Sequence, residues 1–289
     1  PEVTVGKVKS FGPDDAMAIG DDGSVLRLVA GEWEVMFDQA RTDLLADLFG
    51  SGPNDVWVRG LDTSTLRRWN GSAWTSAPIS PPVIAYGGLS VSPTEAYLAA
   101  EASVYHWDGT TWTHEAPFVG GGERALARGS DGSVYVTGTE ERLMVRSPTT
   151  GTWSPFTPAP PPADAGNPGA VTYDRVFTRG TGASLEVWLT SSESSVVLQF
   201  SGGSWAVSEA PVGTFAFSPT TGLWVVGVEL IGDGEGYSER PTASQRTATG
   251  WGRVPMPSVG DGPRGVDVLP DGTIGVVLRN KVRMRIAPP

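Results

Sequence analysis

The sequence predicts an all-β protein, more specifically a β-propeller, for three reasons. A unit of short strands, closed by a tight turn and followed by a tryptophan, recurs along the chain. These turn tryptophans fall 38 to 52 residues apart, which is the period of a blade of four short antiparallel strands. The 38 glycines and 24 prolines suit many turns, and no stretch keeps helical periodicity over three turns. The turn tryptophans are Trp33, Trp74, Trp112, Trp153, Trp205 and Trp251.

The clearest copy of the unit runs from Ser92 to Ala116. Two runs rich in apolar residues lie in its first half, and Asp108-Gly109 follows them as a hairpin signal because glycine tolerates positive φ. A two-residue turn at this point pairs Tyr105 with Trp112 across the hairpin. One further short strand precedes each unit and would be the first strand of its blade.

Counting the repeats predicts seven blades of four short antiparallel strands in a single domain, 1–289. The last repeat, Pro270 to Ile286, lacks a tryptophan-bearing strand, so we expect either that this blade has three strands or that an upstream strand was removed from this chain. Six or eight blades are the alternatives if one weak repeat is misread. The expected blades are approximately 4–38, 42–78, 83–116, 123–158, 173–210, 213–257 and 264–287.

The composition of the chain argues against several classes of binding partner and of catalytic or metal site. The formal net charge of −11 argues against nucleic acids and against anionic membrane surfaces. No apolar run is long enough to span a membrane. The absence of cysteine removes thiolate catalysis, zinc–cysteine sites and disulfides. The chain begins at Pro1 without a signal-like segment, so we expect that any targeting segment is absent from it.

Two stretches carry a resemblance to a known group of propellers. A Pro-x-(Asp/Glu) strand start followed by Trp-(Asp/Asn)-Gly-x-x-Trp occurs at Pro53–Trp57 with Trp69–Trp74, and at Pro93–Tyr97 with Trp107–Trp112. This pattern resembles the repeats of bacterial exported and cell-surface seven-bladed propellers. It also resembles the Asp-box hairpins of sialidase-type propellers, although Thr149 stands where the box has Asp. Both motifs are structural, so the resemblance implies export (periplasmic, outer-surface or secreted) and no catalytic residues.

Two long insertions predict where a ligand would bind. Residues 158–170 join blades four and five, and residues 232–245 join the second and third strands of blade six. Propeller connectivity places both loops on one face, and long loops in compact domains are often functional. The alternative is tolerated surface growth. The second insertion supplies candidate ligand-binding residues Tyr237, Glu239 and Arg240, and candidate calcium ligands Asp233 and Glu235.

The tryptophans divide into two groups. The turn tryptophans recur regularly and are expected to pack between blades. Trp69 and Trp107 have no counterpart in most repeats, which makes them candidate ligand contacts. Arg175 and Arg179 share one face of a first strand and are further candidates at the channel.

His106 and His114 are the two histidines of the chain, and strand alternation points them to opposite sides. A histidine metal pair or a Ser-His-Asp triad is therefore not expected. The sequence favours a non-enzymatic binding propeller of the bacterial envelope or exterior, with a glycan or protein partner, no cofactor or at most calcium. The alternatives are a glycan hydrolase or lyase at the channel mouth, and a structural module of a larger surface protein.

Overall fold

The computed structural model describes most of the chain and leaves several connections out. The described residues are 5–12, 14–38, 44–61, 66–101, 103–117, 125–138, 143–160, 173–191, 195–211, 213–218, 220–232, 237–256, 263–268, 273–278 and 283–286.

Six antiparallel sheets of four strands follow one another along the chain, and we call them blades 1 to 6. Blade 1 contains β1 (Val5–Gly12), β2 (Asp15–Gly20), β3 (Ser24–Val29) and β4 (Glu32–Asp38). Blade 2 contains β5 (Leu45–Gly52), β6 (Asp55–Gly60), β7 (Leu66–Trp69) and β8 (Trp74–Ser76). Blade 3 contains β9 (Ala85–Ser92), β10 (Glu95–Ala100), β11 (Ser103–Trp107) and β12 (Trp112–Pro117).

Blade 4 contains β13 (Leu126–Arg128), β14 (Val134–Thr137), β15 (Leu143–Arg146) and β16 (Trp153–Pro155). Blade 5 contains β17 (Arg175–Arg179), β18 (Glu186–Thr190), β19 (Val196–Ser201) and β20 (Ser204–Glu209), with a short 3-10 turn at Gly182–Ser184. Blade 6 contains β21 (Thr214–Ser218), β22 (Gly222–Gly232), β23 (Tyr237–Thr247) and β24 (Gly250–Val254). A three-stranded sheet follows, with β25 (Pro263–Val268), β26 (Ile274–Leu278) and β27 (Arg283–Ile286).

The fold class predicted from the repeats, an all-β propeller with four-stranded antiparallel blades, is confirmed. The expected count of seven blades, the last with three or four strands, is not confirmed: among the described residues six sheets have four strands, and the sheet β25–β27 has three. The reason lies in the last repeat, which has no tryptophan-bearing segment to serve as a fourth strand.

The strands cluster into two compact units. In one unit, the first strands β21, β25 and β1 are neighbours, which places the three-stranded sheet between blades 6 and 1. In the other, the first strands β9, β13 and β17 are neighbours in chain order. Blades 3, 4 and 5 lie in this second unit together with β7, β8 and parts of β5 and β6.

Second strands carry the most buried side chains. Trp57 on β6, Tyr97 on β10 and Trp224 on β22 are each 0% exposed. Buried apolar clusters lie between blades 2 and 3, between blades 3 and 4, between blades 4 and 5, and between blade 6 and the three-stranded sheet. One layer packs Phe49 and Trp57 of blade 2 against Leu98 and Trp107 of blade 3. This burial is the main source of stability between blades.

The hairpin between β11 and β12 differs from the predicted two-residue turn. Trp107 pairs with Trp112, and Tyr105 pairs with His114, so four residues form the loop. The Asp108 carboxylate accepts hydrogen bonds from the backbone N–H groups of Thr110 and Thr111, both at 2.8 Å. This side-chain cap, with φ of 99° at Gly109, stabilises a longer loop than the dipeptide alone suggests.

The insertion at 232–245 was predicted as a loop, and that prediction is wrong for most of it. The strands β22 and β23 each have 11 residues, and their pairing continues to Gly232 opposite Tyr237. Within this extended pairing, Glu229 and Arg240 face each other and form an ion pair at 2.8 Å. The expectation that a ligand binds a face carrying two long loops therefore loses one of these loops.

Candidate ligand-binding site

The sequence-predicted site residues lie in different parts of the molecule. Arg179 pairs with Glu186, its Nε lying 2.8 Å from the carboxylate, and its guanidinium lies 5.4 Å from the Trp188 ring. Arg175 lies on the same strand, four residues earlier, opposite Thr190. This pair belongs to blade 5, whereas Arg240 belongs to blade 6, so the structure does not bring these candidates together in one blade.

Strand pairing places the remaining candidates of blade 6. Tyr237 and Glu239 lie on β23, opposite Gly232 and Leu230 respectively. The calcium candidates Asp233 and Glu235 lie outside the described residues, as does most of the 158–170 insertion. Within the described part of the chain, no group of three or more Asp, Glu or His side chains could hold a metal ion.

The histidines lie as the alternation rule predicts, although the predicted register was wrong. The ring of His106 stacks on Tyr97 at 4.8 Å, and the ring of His114 contacts Tyr105 edge-on at 5.5 Å. Tyr97 belongs to the layer between blades 3 and 4, and Tyr105 to the layer between blades 2 and 3. The two imidazoles therefore lie on opposite faces of blade 3.

One tryptophan candidate does lie at a cavity. A cleft of about 340 Å³ opens between the outer strands of blades 2 and 3. Trp107, 7% exposed, and Trp112 line it from blade 3. This volume is at the lower end of the range for small-ligand sites, about 300–1,000 Å³. The full lining is Arg68, Thr75, Ser76, Ala77, Pro78, Ser80, Trp107, Thr110, Thr111 and Trp112.

Trp69, the other tryptophan candidate, is not part of this lining. It pairs with Trp74 across the β7–β8 hairpin, with ring centroids 5.7 Å apart. The Trp107–Trp112 pair has the same arrangement at 5.6 Å. The repeat therefore builds two similar indole pairs, and the cleft is formed where the second of them meets blade 2.

Arg68 is the charged residue of the lining, and it is already paired. Its Nε donates to Asp55 at 2.9 Å, and its guanidinium lies 5.3 Å from the Trp57 ring and 5.9 Å from the Trp107 ring. Ser90 also donates to the Asp55 carboxylate, at 2.5 Å. The guanidinium is thus neutralised and held flat against the aromatic wall.

The cleft borders a position that carries side chains of different size in different blades. Ala77, Glu115 and Phe156 each lie three residues after the turn tryptophan of their blade. Ala77 and Phe156 also make the same backbone hydrogen bond, to Leu66 and Leu143 respectively, at 2.9 and 2.8 Å. Glu115 lies at a bulge, where Val104 pairs with Ala116, so its equivalence rests on its spacing from the tryptophan and on the blade that it faces. The smallest of the three side chains, Ala77, borders the cleft.

Between blades 3 and 4, Glu115 fills the equivalent space. Its carboxylate accepts hydrogen bonds from Arg146, the shortest at 2.8 Å, and from the Trp153 indole at 2.8 Å. His106 Nδ1 lies 3.4 Å from the same carboxylate. Because a carboxylate can accept several donors at once, this group joins the two blades by charge and hydrogen bonds.

The titration of this cluster follows from its contacts. Burial raises the pKa of the Tyr97 phenol above its usual range, and its 2.8 Å hydrogen bond to Glu95 raises it further. The hydrogen bond to Glu115 raises the pKa of the Arg146 guanidinium. Tyr97 stays neutral and Arg146 stays charged at neutral pH, so this layer acts as a fixed structural network.

Between blades 4 and 5, an aromatic side chain fills the space. Phe156 contacts Phe200 edge-on at 4.9 Å and Trp205 at 5.9 Å. The Trp205 indole donates to the Pro158 carbonyl at 2.9 Å. In the described chain the Trp112 indole nitrogen, by contrast, is buried without a hydrogen-bond partner. The layer between blades 2 and 3 is therefore less completely filled than the two that follow.

Sequence reasoning named Trp107 but missed the cleft. The signal was available: Ala77 stands where the next two repeats have Glu115 and Phe156. Arg68, Thr110 and Thr111 gave no signal, because only the packing of two blades brings them together.

Known structures share this fold at low sequence identity. YCF48 from Cyanidioschyzon merolae matches with a TM-score of 0.62 and 14% identity, over 99% of this chain and 96% of that one. Virginiamycin B lyase from Staphylococcus aureus matches with a TM-score of 0.73 and 11% identity, over 100% and 96%. The extracellular domain of the hybrid two-component system BT3049 from B. thetaiotaomicron matches with a TM-score of 0.63 and 11% identity, over 99% of this chain and 39% of that one.

These likenesses support the propeller class and no finer relationship. No protein-family model and no curated protein matches the chain. Among the described residues, no helix has the length and apolarity to cross a membrane.

Proposed function

We propose that this chain is a non-enzymatic binding propeller of an exported bacterial protein, and that its ligand, a glycan or a protein segment, enters the cleft between blades 2 and 3. The observation that carries the proposal is the cleft itself, with two indoles on one wall and hydroxyl-bearing side chains around them. Small-ligand sites commonly combine aromatic walls with a few polar groups.

The chemistry of the lining favours binding over catalysis. Within the described residues, the lining contains no carboxylate and no histidine. Glycoside hydrolysis commonly requires two carboxyl groups across the scissile bond. Two carboxylates beside the lining are engaged, Asp55 by Arg68 and Ser90, and Asp108 by Thr110 and Thr111. A hydrolase or lyase would therefore need a different site on the molecule.

The similar folds agree with this range of functions. One known structure is YCF48 bound to D1 peptide, matched at 12% identity with a TM-score of 0.65. Another is the extracellular BT3049 domain. The first supports recognition of a peptide by a propeller, and the second supports export.

The test uses labelled protein on a glycan array and on a peptide array, with and without a calcium chelator. The comparison is between the wild type and Ala77→Phe, which fills the cleft as Phe156 fills the equivalent space. Ala73→Phe is the matched control, because Ala73 is exposed and outside the cleft lining. We expect binding that Ala77→Phe abolishes and Ala73→Phe retains.

Other outcomes are equally informative. Binding that survives Ala77→Phe would place the site elsewhere, and its loss in chelator would favour calcium at Asp233 and Glu235. Cleavage of an arrayed glycan would favour the enzyme alternative. Blank arrays would contradict the proposal and favour a structural module.

A further inference from the structure

We propose that the cleft between blades 2 and 3 recognises an uncharged sugar ring. This rests on the proposed function and adds the chemical class of its ligand.

The walls suit a ligand that has an apolar face and a polar edge. Trp107 and Trp112 form one side, with their ring centroids 5.6 Å apart and tilted by 49°. The other side carries Thr75, Ser76 and Ser80, and is less bulky at Ala77. A pyranose has carbon-bound hydrogens on its faces and hydroxyls on its rim, which matches an indole wall edged by hydroxyl groups.

The charge of the lining argues against an acidic ligand. Arg68 would be the partner of a carboxylate or sulfate, but its Nε is 2.9 Å from Asp55 and its side chain is 14% exposed. An anion entering the cleft would have to be desolvated beside this neutralised pair, and the chain as a whole has a net charge of −11. An uncharged ligand carries no such cost.

Two hydroxyl groups of the lining have their protons engaged and can act as acceptors. Thr110 Oγ1 donates its proton to Asp108 at 2.7 Å, and Thr75 Oγ1 donates to the Arg68 carbonyl at 3.3 Å. A hydroxyl whose proton is already engaged keeps its lone pairs for an incoming donor. A ligand rich in O–H donors fits these acceptors, and sugar rims carry several such donors.

The experiment is a titration of the indole N–H signals by NMR. Four methyl glycosides are used as probes, those of glucose, galactose, mannose and N-acetylglucosamine. The methyl glycosides of glucuronate and galacturonate serve as charged counterparts of two of them. A single ring has few atoms, so we expect a dissociation constant on the order of 1 mM for the best neutral probe.

The expected result is a saturable shift of the Trp112 indole signal, assigned with Trp112→Phe, for at least one neutral glycoside. Its uronate counterpart should bind at least 10-fold more weakly. Ala77→Phe should abolish the shift and Ala73→Phe should retain it. If Ala77→Phe fails to fold, Thr111→Val, at an exposed loop position of the lining, should weaken binding several-fold.

Preference for the uronates, with loss of the shift in Ala77→Phe, would overturn the inference and leave the binding function intact. A peptide that shifts Trp112 while all six glycosides do not would also overturn it. Absence of any cleft-dependent binding on the glycan array, on the peptide array and in this titration would overturn both proposals.

Discussion

The layers on the two sides of blade 3 are built from the same repeat and end up with opposite properties. On the side of blade 4, Glu115 joins Arg146 and the Trp153 indole, and the layer is closed by charge-assisted hydrogen bonds. On the side of blade 2, Ala77 takes the position of Glu115, Trp107 takes the position of Arg146, and a cleft remains.

The difference shows how the same repeat can close one layer and leave a cleft in another. The pairing beside the turn is kept, since Trp107 pairs with Trp112 as Arg146 pairs with Trp153. Further from the turn, the pairing of β11 with β12 has a bulge at Glu115, and the side chains that face the neighbouring blade differ. The layer between blades 4 and 5 is a third version, closed by Phe156 instead of by charge.

The largest loss of stability is expected from removing the aromatic side chain that fills the layer between blades 4 and 5. Phe156→Ala removes a side chain that is 7% exposed and contacts Phe200, Trp205 and Tyr135. We expect a loss of about 3–5 kcal/mol in the free energy of unfolding, measured by urea denaturation. Phe156→Leu, which keeps most of the volume, should cost under about 1.5 kcal/mol. Equal losses in both variants would show that the ring contacts, and not the filled space, hold these blades together.

A smaller loss of stability is expected from removing the carboxylate that joins blades 3 and 4. Glu115→Ala leaves Arg146 without its carboxylate, in a pair whose side chains are 16% and 17% exposed. We expect a loss of about 2–3 kcal/mol, below the full value for a buried pair because both groups retain some water. Glu115→Gln keeps an acceptor for the Trp153 indole and should lose less. A loss below about 1 kcal/mol for Glu115→Ala would mean that apolar packing alone closes this layer.

The sequence predicts the propeller architecture better than it predicts the candidate binding site. The tryptophan spacing predicts the blades because each repeat must bury the same faces, and this periodicity survives changes in individual residues. It does not predict the turn length, because the Asp108 side chain makes hydrogen bonds that favour a four-residue loop. It also does not predict that 232–245 is mostly strand, because Gly, Ser and Pro in that stretch indicate a loop when cross-strand pairing is unknown.

The cleft is a property of two blades together. Ala77 and Trp107 are 30 positions apart in the chain, and neither is unusual for a β-protein on its own. A comparison of the repeats identifies equivalent positions along the chain. A small residue at a position where neighbouring repeats have large residues indicates a gap between blades. The chemistry of that gap still depends on Arg68 and Asp55, whose pairing is visible only in three dimensions.

The smallest change in stability is expected at the hairpin loops that join the strands of the two indole pairs. This change depends on pH. Hydrogen bonds from the N–H of Thr111 and from the hydroxyl and N–H of Thr110 lower the pKa of Asp108 from 3.8 to about 2. A depressed pKa contributes stability that is present above the unfolded-state value and is lost as the pH falls from about 4 through about 2. Asn70 accepts equivalent bonds in blade 2, from Ser72 and Ala73 at 3.0 Å, without titrating.

Exchanging the two residues tests this contrast. Asp108→Asn should lower the urea midpoint at pH 7 slightly, because it removes the contribution of the ionised carboxylate, and should be less sensitive to acid than the wild type between pH 4 and pH 2. Asn70→Asp should gain the acid sensitivity that Asp108→Asn loses, since the Asn70 side chain already accepts the same set of donors. If neither variant changes the pH profile, the hydrogen bonds to these loops persist in the unfolded chain, because a pKa that is equal in both states contributes nothing to stability.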